Sequence, residues 1–193
     1  MPLDPFTVGT IMKGFMTANL LIGTSSSQLA AGVAGGLSMY GKSGMNVATI
    51  DVGTLGVGKG FGAGVFISPP TFAPSFTAAF AAAGIRGISA PQLISALSMG
   101  FSQALALATI NTIHPGVGLG TGQLVITPNP PVAIATFIQA FASAGMTGPM
   151  AANAATAIAN GLDRALPLAR GIVAIAGPPN IVPGAGVGSG KLL

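Results

Sequence analysis

Cysteine, tryptophan and glutamate are absent from this chain of 193 residues, and histidine and tyrosine occur once each. Without cysteine there is no disulfide staple and no thiolate metal site. Charge is the larger absence. Seven Lys or Arg and three Asp make up 5% of the residues, where about 25% is typical of soluble domains. A soluble monomer resists association with a surface roughly a quarter to a third charged, so this chain is expected to be hidden in an assembly or a membrane. The start, MPLDPF, lacks the basic and continuous apolar regions of a signal peptide, so Sec-type export is not expected. Lys13, Lys42, Lys59, Arg86, Arg164, Arg170 and Lys191 are scattered singly. Nucleic-acid binding is not expected either, because it needs a stripe or cluster of cations.

What is present is hydrophobic residues, half of the chain, together with 30 Gly and 15 Pro. Disorder requires low hydrophobicity and high charge, the reverse of this composition, so the chain can bury a core. The strongest internal signal is self-similarity. Phe76, Phe80, Gly84 and Gly87 are matched by Phe137, Phe141, Gly145 and Gly148 at a constant offset of 61, which continues through Ala96 and Ala157 and through Gly100 and Gly161. Gly56, Gly58, Gly60 and Gly62 lie 60 positions before Gly116, Gly118, Gly120 and Gly122, and a related string, Gly184, Gly186 and Gly188, closes the chain. Upstream, Gln28, Leu29 and Gly36 match Gln92, Leu93 and Gly100. Three degenerate repeats of about 60 residues are read, 5–68, 71–128 and 132–193, with Pro-rich joints and within one compact unit.

The fold class expected is mainly α with short β segments, each repeat a small-residue helix pair followed by a Gly-alternating extended segment. Phe76, Phe80 and Ala83, like Phe137, Phe141 and Ala144, fall at i, i+4, i+7, the spacing of one helical face. Ser89 and Gly148 precede Pro91 and Pro149 as N-caps of second helices, since Pro is tolerated in a first turn. Pro167 should end one such helix and Gly41 with Gly44 another, leaving only the middle copy able to run unbroken from Ala90 to Ile113. The stretches around Val47–Ile50 and Gly171–Ile175 favour strand. Glycines at every second position of an extended chain share one face, so another backbone can approach there.

Candidate chemistry is thin. Gly36 to Ser43 fits G-x-x-x-x-G-K-[ST], but no apolar strand precedes it and no distant carboxylate follows to hold magnesium, so a helix ending near Gly41 is read instead of a phosphate loop. His114 with Asp4, Asp51 or Asp163 makes neither a nucleophile elbow nor a clustered ligand set. No enzyme activity and no cofactor is expected. The residues singled out are for packing and interface: Phe76, Phe80, Phe137, Phe141 and the strings Gly56–Gly60, Gly116–Gly120 and Gly184–Gly188.

The composition resembles that of phage structural proteins, which are often short, catalytically empty and rich in Gly, Ala and Pro. The function expected is a virion component, of tail, baseplate or capsid, whose partners are copies of itself and other structural proteins of the assembly. A membrane-associated protein with small-residue helices is the alternative, with Ala90 to Ile113 long enough to cross a bilayer.

Overall fold

The computed structural model describes residues 4–43, 47–53, 59–66, 72–115, 120–168, 171–176 and 184–192. The chain is mainly helical with short strands. Its helices are α1 (Pro5–Ala18), α2 (Thr24–Lys42), α3 (Phe72–Ala82), α4 (Ala90–Ala106), α5 (Pro130–Ser143) and α6 (Pro149–Ala165). Its strands are β1 (Val47–Gly53), β2 (Lys59–Phe66), β3 (Thr109–Pro115), β4 (Gly120–Thr127), β5 (Gly171–Ala176) and β6 (Gly184–Leu192). In chain order, two helices and two strands alternate throughout.

Local chemistry explains the helices. Asp4 caps α1 by accepting from the Thr7 amide at 2.8 Å, and Pro5 enters the first turn, where a missing N–H costs nothing. Val8, Met12 and Met16 of α1 and Phe72, Phe76 and Phe80 of α3 form buried i, i+4, i+8 stripes, as do Ala133, Phe137 and Phe141 of α5. All three helices end alike. The amides of Leu21, Ile85 and Met146 donate to the carbonyls of Met16, Phe80 and Phe141 at 2.8, 2.9 and 2.8 Å. The preceding residues, Leu20, Gly84 and Gly145, are left-handed at φ 63°, 77° and 76°. This double turn satisfies orphan carbonyls and reverses the chain. Ser89 stands at the N-cap of α4, but its own backbone is helical there (φ −86°, ψ −10°) and its side chain makes no capping bond.

Each helix packs on its two neighbours, and α6 closes on α1 to complete a ring. Aromatic side chains fill the middle. Tyr40 stacks on Phe72 with centroids 3.9 Å apart, Phe76 lies 5.2 Å from Phe101, and Phe101 meets Phe137 edge-on at 4.9 Å.

The expectation of an unbroken helix from Ala90 to Ile113 is corrected. α4 ends at Ala106, Leu107 sits at its C-cap, and β3 starts at Thr109. The Thr109–Ile113 segment is rich in β-branched residues and finds ladders on both sides, which outweighs continuing a helix. Among the described residues no helix is long and apolar enough to cross a membrane.

The strands form one closed antiparallel barrel in the order β1-β2-β3-β4-β5-β6, with β6 paired to β1. Partners followed from Lys191 through Ile172, Gln123, Ile113, Phe61 and Val52 return to β6 at Ala185, six residues from the start. Six strands with that stagger enclose a backbone cylinder of roughly 5 to 6 Å radius, given about 4.8 Å between strands and an ordinary tilt. Ile110 and Ile126 are opposite one another and buried in the same cluster as the helix side chains, while their chain neighbours Asn111 and Val125 are exposed. Their face is therefore the interior, and the helical core runs on into the barrel.

Candidate functional site

Register carries the interior assignment round the barrel. Ile110 is opposite Gly64, Gly64 opposite Thr49, Thr49 opposite Gly188, Gly188 opposite Ile175 and Ile175 opposite Gly120. Directly paired residues share a face, and positions two apart share it too. Gly60, Gly120, Gly184, Gly186 and Gly188 all fall on the inner face; Gly56, Gly58, Gly116 and Gly118 lie outside the described residues. The glycines belong to β2, β4 and β6, which alternate along the barrel circumference with β1, β3 and β5; Ile110 of β3 and Ile126 of β4 are the buried side chains described on this face. An eight-stranded barrel is just wide enough to be filled by side chains from every strand, and a six-stranded one is narrower.

Phe76, Phe80, Phe137 and Phe141 are buried in the helical ring, and glycine governs their seats too. A Cβ on Gly36 of α2 would overlap the Phe76 ring of α3, one on Gly100 of α4 the Phe137 ring of α5, and one on Gly161 of α6 the Met12 thioether of α1. The relation is cyclic, each even helix receiving a large side chain from the next. Gly32 gives Phe80 a second such seat. A helical glycine costs about 1 kcal/mol against alanine, a cost that packing a whole aromatic ring offsets.

The residues with potential chemistry are dispersed over several elements. Residues 36–42 lie within α2, so the amides of the G-x-x-x-x-G-K segment belong to a helix, with Gly36 against Phe76. Asp4 is held at the start of α1, where the Thr7 amide and hydroxyl, both 2.8 Å from Oδ2, lower its pKa below the usual 3.8. Asp163 is half-buried on α6. Asp51 is opposite Gly62 and Gly186, and His114 opposite Gly60, in the strand ladders. Among the described residues no group of three His, Cys, Asp or Glu gathers as a metal-ligand set.

A feature absent from the sequence reading lies at the α1/α6 seam. A groove of about 530 Å³ is lined by Thr10, Ile11, Gly14, Phe15 and Ala18 of α1 together with Arg164 and Leu168. Nothing stands within 4 Å of where a Gly14 Cβ would be. Arg164 makes no ion pair among the described residues and sits in the last turn of α6. The available signal was that Gly14 falls where Ala78 and Gln139 occur in the matched helices.

The chain matches no protein-family model, no curated protein and no solved structure.

Proposed function

We propose that the chain is a non-enzymatic structural subunit of a virion, such as a phage tail, baseplate or capsid component, buried among copies of itself and other structural proteins. The observation that carries this reading is its surface. Phe6, Leu20, Ile22, Ile88 and Met150 are 81, 77, 76, 96 and 60% exposed on a chain with ten charged side chains. Apolar exposure on that scale is stable where neighbours cover it.

The subunit is read as three copies of one helix-pair-and-hairpin unit, 5–68, 71–128 and 132–193. Supporting this, the left-handed helix ends at Leu20, Gly84 and Gly145 are spaced by 64 and 61 residues, as are Gly36, Gly100 and Gly161, each of which seats a large side chain of the next helix. A unit of this kind leaves a helix face open until the next copy fills it, and the third closes on the first.

Native mass spectrometry and electron microscopy of the purified chain, with and without detergent, test the assembly reading. Discrete oligomers or particles formed without detergent are the expected result. A monodisperse monomer, or recovery only from the membrane fraction with detergent, would reject it and leave the membrane alternative.

A further inference from the structure

We propose that the α1/α6 groove binds a single-chain anionic amphiphile, a medium-chain carboxylate, with Arg164 on its head group. This inference stands apart from the assembly reading, since it rests on one seam inside a single chain.

The groove has the two halves such a ligand needs. Its wall is apolar, from Ile11 and the half-buried Phe15 to Ala18, and among the described residues the one charged group lining it is the exposed Arg164. Met12 of α1 packs over Gly161 of α6, and neighbours in the ring run antiparallel, so Arg164 lies toward the start of α1 and Ala18 at the opposite end. Thr10 to Ala18 is about 12 Å of helix, the length of an extended acyl chain of roughly ten carbons. The volume of about 530 Å³ falls within the range of small-molecule sites.

Charge selects the head group. Arg164 has no ion-pair partner among the described residues, and a guanidinium matches a carboxylate through two parallel hydrogen bonds. The hydroxyl of Thr10 is already donated to the Phe6 carbonyl at 3.0 Å, which leaves Arg164 as the anchoring group. Gly14 keeps the middle of the groove open, and any side chain there would project into the space the acyl chain needs.

Isothermal titration of the intact protein with decanoate, and separately with decyltrimethylammonium, tests the proposal. Saturable decanoate binding near one per chain is expected, with a dissociation constant on the order of a millimolar or tighter, and no saturable binding of the cationic analogue. Arg164→Gln should weaken decanoate binding about tenfold or more, and Gly14→Leu should abolish it, while both variants keep the wild-type circular dichroism and oligomeric state. Equal binding of both amphiphiles, or no saturable binding, would overturn the proposal. So would a change of oligomeric state in Gly14→Leu, because the groove would then be a seat for a neighbouring subunit.

Discussion

Leu20 holds a left-handed backbone at φ 63° in the position that Gly84 and Gly145 fill in the other two helix turns. A branched side chain there costs about 1 to 2 kcal/mol, and at 77% exposure Leu20 recovers little by burial. Glycine in its place loses more entropy on folding, by about 0.5 to 1 kcal/mol. Leu20→Gly should therefore stabilise by a few tenths to about 1 kcal/mol, raising the melting temperature by about 1 to 4 °C. That gain is expected of the isolated chain at low concentration; in the assembly, where neighbours are proposed to cover Leu20, the same substitution should lower the melting temperature instead. At the start of the same helix, Asp4 gives a pH signature. Its carboxyl is held below 3.8 by the Thr7 hydrogen bonds, so its stabilising contribution is full above the unfolded value and is lost as pH falls toward the folded one. Asp4→Asn, which still caps but cannot ionise, should flatten stability between pH 5 and 2 (roughly, the window in which paired carboxylates protonate) relative to wild type. Asp4→Ala should lower stability at neutral pH. Parallel acid titrations monitored by circular dichroism would distinguish the three proteins.

Between elements, small residues decide what can approach what. Gly100→Val places a branched side chain where the Phe137 ring lies, and overpacking of this kind costs about 1 to 3 kcal/mol or more. Adding Phe137→Ala should recover part of that loss, so the double variant is less destabilised than the sum of the two single ones. Additive losses in urea melts would place the damage outside this contact. The barrel gives a matched pair of substitutions. Gly122 shares the inner face with Ile126, whereas Val125 is exposed on the outer face. Gly122→Val should unfold or severely destabilise the chain, and Val125→Thr should change stability by about 0.5 kcal/mol or less. The reverse order would overturn the face assignment.

Much at this scale was legible in the sequence. The Phe76 and Phe80 stripe, its partner at Phe137 and Phe141, and the one-faced glycines follow from periods of 3.6 and 2. The helix boundary at Ala106 was not, because Leu105 to Ile113 holds neither Gly nor Pro and mixes Leu and Ala with Ile and Thr, a run that fits either structure until strand partners are known. The groove that Arg164 and Gly14 both line was also beyond reach. They are 150 positions apart, and only ring closure brings α6 against α1.

Barrel closure belongs to the whole molecule and depends on register, which one sequence specifies only through its partners. It carries a prediction about chain order. β6 ends at Leu192, opposite Gly171 just after α6, and α1 begins at Pro5 in contact with α6. Both ends of the described chain therefore lie at the junction of helices and barrel, as does the passage from β4 to α5. If the three units are equivalent, the native order is one of three cyclic orders that close the same ring and barrel. A circular permutant opened between Phe66 and Phe72, its old ends joined by a short Gly/Ser linker, should fold with wild-type circular dichroism and a melting temperature within about 5 °C of wild type, a difference of one or two kcal/mol. Opening α4 between Leu97 and Ser98 instead should prevent folding, because it cuts the helix through the buried cluster of Ala96, Leu97 and Phe101. Failure of the first permutant across several linker lengths would show that the first unit is needed as the starting point of the chain and that the units are not interchangeable. Success of both would mean that the helical ring tolerates any break, and the cyclic seating of Phe76, Phe137 and Met12 would no longer account for its cohesion.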